Sequence, residues 1–244
     1  MKLFFHHFER THYVAFSPAS ARDTGGVVTM WCRKHFASNS SFDAEVIIPG
    51  RILRTAVSFR DASTTKTIIH YNVHNHNLSA NDRHLLSTSL RHATDLCKAA
   101  PDTTSIVLIG DVNFLSAGES ALTLDTTFTR REQTAPSFWT KTLALFTELE
   151  LPGHNHYNAT SNCTSSINKA FIYAPSWIFT ILNFTGRCLD DPTKLHNSKI
   201  SDHAPISVSI EFLKPLAKGN QPLPNHLFKN PKYREFHDNL VRAA

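Results

Sequence analysis

Along most of the chain, apolar and polar positions alternate over short runs, the period of a half-buried strand. His12–Phe16, Val27–Cys32, Glu45–Ile48, Ile52–Phe59 and Thr67–His74 are such runs, rich in Val, Ile, Phe and Thr, side chains that suit a pleated surface. Gly25-Gly26 opens one of them and Pro49-Gly50 separates two others, as turns require. Ser105–Ile109 is a continuous run of the kind buried on both faces, and it ends in Gly110-Asp111. Asn168–Tyr173, Trp177–Phe184 and Pro205–Phe212 complete the predicted strands. Helical stepping is confined to two segments. Leu86, Leu90, Ala93 and Cys97 form one apolar stripe in a helix from Ser79 to Cys97, with Ser79 as its N-cap. Trp139, Leu143 and Phe146 do the same over Ser137–Leu149.

The texture changes at Lys214, where Pro215, Pro222, Pro224 and Pro231 interrupt the pattern. This predicts one domain over 1–213, followed over 214–244 by a Pro-containing linker with a short helix around Tyr233–Arg242. Many strands with few helices point to packed sheets flanked by helices. At 244 residues and 41% hydrophobic, the chain can bury a real core, which excludes wholesale disorder. No apolar stretch at the N-terminus is long enough for a signal peptide or a membrane span.

A formal charge of +5 favours polyanionic partners, because neutralising phosphates releases counterions, but charge alone does not select nucleic acid. Cys32, Cys97, Cys163 and Cys188 form no C-x-x-C pair and read as buried, reduced thiols, which suits an intracellular, reducing compartment.

Three constellations carry candidate chemistry. Ile109-Gly110-Asp111-Val112-Asn113 ends the doubly buried strand. If extended geometry persists, Asp111 and Asn113 face the same way, a carboxylate to activate water or hold a cation and an amide to position water or a phosphate oxygen. The other reading is a strand end with two turn formers. Ser201-Asp202-His203-Ala204-Pro205 precedes the last strand and pairs a carboxylate with an imidazole, or else is simply a polar turn. His70, His74 and His76 share one strand face if the strand runs that far, which makes zinc conceivable, but no carboxylate or thiolate lies close in sequence. A polar strand end at the rim of a site is the better reading.

In this order, the motifs resemble those of the endonuclease/exonuclease/phosphatase superfamily, which includes nucleases, lipid phosphodiesterases and the endonuclease domains of non-LTR retrotransposons. Gly25-Gly26-Val27-Val28 is similar to its GGV strand opening and Gly50-Arg51-Ile52-Leu53 to its GRil segment. Asp111 and Asn113 stand in its GDxN box, and Ser201 to Pro205 in its SDHxP box. His74 and Asn75 sit where the family places a His or Asn at a strand end. The likeness covers about residues 10–213. It implies an α+β fold, a four-layer α/β/β/α sandwich of two mixed sheets, and a phosphodiester hydrolase dependent on Mg2+ or Mn2+. Asp111, Asn113, His203, His74 and Asn75 would be catalytic and Asp202 a metal ligand, with Tyr71 and Asn168 contacting substrate. DNA is the implied partner of a monomeric chain. Leu223-Pro224-Asn225-His226-Leu227-Phe228 is similar to the segment that follows the endonuclease domain in retrotransposon polyproteins, which would imply nuclear residence.

Two departures accompany the likeness. The family's first strand, which carries an Asn, and its second, which ends in the metal-binding Glu, have no counterpart in the sequence; Glu9 lies in surroundings that match the segment after that Glu. The resemblance thus implies a sandwich incomplete at the N-terminus, with one sheet short. Asn168 also stands where the family often has an Asp that supports the His of the SDHxP box. Both departures predict low or absent turnover. The alternatives are a nucleic-acid-binding remnant without catalysis and a phosphatase for lipids or small phosphate esters, since fold does not choose substrate.

Overall fold

The computed structural model describes residues 8–19, 26–36, 39–61, 64–75, 78–116, 122–123, 136–174 and 182–212. The chain divides into two units, Met1–Glu211 and Phe212–Ala244. His76, Trp177 and the helix expected around Tyr233–Arg242 lie outside the described residues.

The strands in chain order are β1 (His12–Pro18), β2 (Gly26–Cys32), β3 (Ser41–Ile48), β4 (Ile52–Asp61), β5 (Thr64–His74), β6 (Thr104–Asp111) and β7 (Leu122–Thr123). They continue with β8 (Thr147–Glu148), β9 (His156–Asn158), β10 (Cys163–Ser165), β11 (Asn168–Tyr173), β12 (Leu182–Cys188) and β13 (Ile206–Phe212). Among the described residues three α-helices are interspersed: α1 (Ala80–Ala99), α2 (Ser137–Thr142) and α3 (Pro192–Asn197).

A six-stranded mixed sheet in the order β3-β4-β5-β6-β11-β8 is the backbone of the molecule. Only β5 and β6 run parallel, and that step needs a crossover, which α1 supplies. Ser79 caps α1 and forms a capping box with Asp82. The apolar stripe of α1 (Leu86, Leu90, Ala93 and Cys97) is buried against one face of the sheet, where it meets Ile52, Ala56, Ile69, Tyr71, Val73, Ile106, Leu108 and Phe171. Trp139 of α2 joins the same core.

Strand alternation sends the intervening residues to the opposite face. There Leu53 packs with Ala15 and Val27 of the antiparallel pair β1–β2. Val107, Ala170 and Ile172 pack with Phe184 and Val208 of a second pair, β12–β13. Polar ties fix β2 to the sheet: Trp31 Nε1 donates to Thr55 Oγ1 at 3.0 Å, and Asn72 Nδ2 to the Val28 carbonyl at 2.7 Å. The result is an α+β sandwich of helix, large sheet and second strand layer. No helix covering the outer side of that second layer is among the described residues.

The helix expected over Ser137–Leu149 ends at Thr142, and Thr147–Glu148 pairs with β11 as the edge strand β8. Of the four cysteines, Cys97 is buried and the other three are half-buried, all as free thiols.

Candidate functional site

The parallel pairing of β5 with β6 sets His74 opposite Asp111, and the antiparallel pairing of β11 with β6 sets Asn168 opposite Asp111. Three strand ends thus deliver three of the predicted side chains to one place. Gly110 makes the approach possible. Its φ is 148°, and a Cβ there would stand 1.9 Å from the Val73 carbonyl oxygen.

Asp111 is the last residue of β6, and Asn113 has left the strand, with a φ of 55° in the left-handed region. The extended alternation that would align the two side chains does not persist. Instead the chain curls, so that Asn113 donates its backbone N–H to Asp111 Oδ1 at 2.9 Å and its amide to Asp111 Oδ2 at 3.1 Å. The same amide donates to the Asn75 carbonyl at 2.6 Å, while Asn75 Nδ2 donates to the Val112 carbonyl. Asn75 and Asn113 therefore lock the carboxylate by binding the backbone around it. His74 Nε2 lies 3.9 Å from Asp111 Oδ2, and the Arg51 guanidinium reaches His74 Nδ1 at 3.3 Å. A guanidinium can only donate, so Nδ1 accepts and Nε2 carries the proton that faces Asp111.

His203 reaches the site from the loop before β13. Its Nδ1 is 3.1 Å from Asn168 Oδ1. The orientation of Asn168 is set on all sides: its amide nitrogen donates to the Asn155 and Ala204 carbonyls at 3.3 and 3.4 Å, and its backbone N–H to Asn155 Oδ1 at 2.9 Å. The oxygen is thereby turned to His203, whose Nδ1 must carry the proton and whose Nε2 points toward Asp202, 4.0 Å from Oδ1. Asn168 is a buried positioning residue for the ring, where contact with substrate was expected.

One participant is invisible to local sequence reading. His156 of β9 forms an isolated antiparallel bridge with His203, and their rings lie 4.7 Å apart. Burial, and then the neighbouring His203, hold the His156 imidazole below its ordinary pKa, against the pull of Asp202. The His154-Asn155-His156 alternation is the only local signal; the contact itself joins segments far apart in the chain.

Tyr71 is not part of this cluster. It is fully buried under α1, with its hydroxyl donating to the Ser89 carbonyl at 3.0 Å. Of the histidine row, the described members His70 and His74 do not come together. His70 sits edge-on to Trp31 with ring centroids 5.7 Å apart, and His74 is one strand segment of about 13 Å away along β5. Burial pushes the His70 imidazole down to about 4.

No protein-family model and no curated protein matches the sequence. Solved structures do match in fold. An AP endonuclease, LMAP from Leishmania major, covers 81% of this chain and 70% of its own at 13% identity, with a TM-score of 0.57. An endonuclease/exonuclease/phosphatase from Bacteroides vulgatus covers 87% of this chain and 81% of its own, again at 13% identity, with a TM-score of 0.51. The endonuclease domain of TRAS1, a telomere-specific non-LTR retrotransposon, aligns over 86% of this chain and 84% of its own at 14% identity, with a TM-score of 0.49. At these identities the likeness is one of fold: the chain has the endonuclease/exonuclease/phosphatase fold.

Proposed function

We propose that this chain is a phosphodiester hydrolase of the nuclease kind, with slow turnover and DNA as substrate. The observation that supports it is the convergence of Asp111, Asn113, His74, Asn75, Asn168 and His203 at one end of the large sheet, in the order of the family's motifs. Asp111, held by two Asn113 donors, takes the proton of an attacking water. His203, oriented by Asn168, faces the phosphoryl oxygens as negative charge builds on them. Asn168 carries no charge, so it orients the ring without the support that a carboxylate gives to an imidazolium, and that is the basis for slow turnover. The net charge of +5 favours a polyanionic substrate, and the tail segment Leu223–Phe228 favours a retrotransposon-like context.

The family's chemistry implies Mg2+ or Mn2+ together with Asp202. Mg2+ prefers oxygen ligands in near-ideal octahedral geometry. The metal-competent group among the described residues is His156, Asp202 and His203, two nitrogens and one carboxylate. That donor set does not fit Mg2+.

The test is nicking of supercoiled plasmid by the purified chain in Mg2+, in Mn2+ and in chelator, beside Asp111→Ala and His203→Ala. Slow nicking lost in both variants is the expected result. A soluble, folded chain that never nicks defeats the hydrolase reading and favours the second one, a groove that binds nucleic acid without turnover. The uncharged Asn168 behind His203 is the observation that favours it. It predicts salt-sensitive DNA binding that survives Asp111→Ala.

A further inference from the structure

The loop before β13 and the β9–β10 hairpin are zipped together by backbone. Tyr157 N donates to the Asp202 carbonyl at 2.8 Å and Ala204 N to the Asn155 carbonyl at 2.9 Å, flanking the His156–His203 bridge. This sets two imidazoles and a carboxylate side by side on a rigid support, with one ligand atom from each of His156, Asp202 and His203 lying within 4.8 Å of the others. Ligand atoms around a tetrahedral Zn2+ with bonds of about 2.0–2.1 Å stand roughly 3.3 Å apart, so small side-chain rotations close the set. The Asp202 side chain is exposed and free to make that adjustment.

The hydrogen bonds behind the rings are the independent observation. In most protein metal sites, a ligating histidine gives its other ring nitrogen to a fixed partner, which sets tautomer and orientation. His203 Nδ1 is held by Asn168 Oδ1 at 3.1 Å, and Asn168 is itself held by its amide donors. His156 Nδ1 lies 3.2 Å from Ser165 Oγ. Each ring therefore keeps Nε2 for a ligand. The partner behind His203 fixes its tautomer and orientation without adding charge to the ligand set.

We infer that His156, Asp202 and His203 form a site for a borderline divalent transition cation, Zn2+ by preference over Mg2+, with both histidines ligating through Nε2. Imidazole with carboxylate is a donor set for Zn2+ and its transition-metal neighbours. Three protein ligands leave a coordination position open toward the surface, the pattern of sites that hold water or a phosphate oxygen. Zn2+ and a phosphoryl oxygen would compete for His203 Nε2, the one ring nitrogen not committed to Asn168, but cation binding is read without substrate. A chain that binds Zn2+ and never nicks would therefore fail the hydrolase proposal alone.

The experiment uses the full chain, stripped with chelator. Co2+ is titrated in and followed by visible absorption; Zn2+ affinity is then measured in competition with a chromogenic chelator, with and without a large excess of Mg2+. One equivalent bound, intense four-coordinate Co2+ absorption displaced by Zn2+, and indifference to Mg2+ are expected. Asp202→Asn and His156→Gln should each weaken Zn2+ binding by about tenfold or more. Because the Asp202 side chain is exposed, its variant decides the matter if His156→Gln does not fold. The chain has 15 histidines, so unchanged affinity in a folded variant assigns the ion to another histidine and overturns the inference. So does a folded chain without Co2+ absorption, or displacement of Zn2+ by Mg2+ at comparable concentration.

Discussion

Asn168 shows how one atom pair can decide what a site is able to do. Its amide nitrogen donates to two carbonyls, and only its oxygen meets His203. An aspartate placed there would turn a carboxylate oxygen toward the Asn155 and Ala204 carbonyls, in a buried position. Asn168→Asp should therefore lower stability by about 2 kcal/mol at neutral pH, the cost of a buried acceptor set against acceptors. The denaturant midpoint measures this; an unchanged midpoint would mean that the surrounding loop readily rearranges. At this scale the sequence was informative about residue types and silent about their partners. Asp111, Asn113 and His203 could be singled out from the two motif boxes. The curl that turns Asn113 back onto Asp111 could not, because it depends on a left-handed residue and on Asn75 from another strand. Tyr71 was misplaced for a related reason. Neighbours on a strand point to opposite faces, and a tyrosine between polar residues gives no sign of which face a helix will cover.

Long elements were easier to read than short ones. The stripe of α1 was legible because four apolar residues over three turns admit only one face, and all four are buried. Strands β4 to β6 were legible from β-branched runs. The two- and three-residue strands β7 to β10 carry no usable period, and α2 merged with β8 because Phe146 satisfied the helical spacing by chance. Cys97 offers a test of how firmly α1 is seated. It faces the sheet, its thiol lies 2.8 Å from the Thr104 carbonyl, and burial pushes its pKa up to about 11. Thiolate is the reactive form, so alkylation at pH 8 should modify Cys32, Cys163 and Cys188 well before Cys97. Mass spectrometry of timed digests would show the order; early labelling of Cys97 would mean that α1 lifts from the sheet on that timescale.

For the whole molecule, the interface between the large sheet and β1–β2 imposes a pH limit. His70 lies in it beside Trp31 and near Thr55, and burial holds its pKa at about 4, against an ordinary 6.5. The folded chain thus keeps the ring neutral while the unfolded chain protonates it below about 6.5. His70's contribution is complete above that pH, declines as pH falls toward about 4, and declines no further once the folded ring is also protonated. Unfolding midpoints measured across this window should fall, and His70→Gln should flatten the dependence. Equal slopes in both proteins would place the titration elsewhere. No helix among the described residues is long and apolar enough to cross a membrane.

The close approach at Gly110 separates two histories that a motif normally mixes. A methyl group there would collide with the Val73 backbone whether or not the protein hydrolyses anything. Among random variants selected only for remaining folded, position 110 should stay glycine while Asp111 drifts. A surviving glycine in such a box is therefore a record of architecture, and only the polar residues that follow it, Asp111 and Asn113, record whether selection for chemistry has continued.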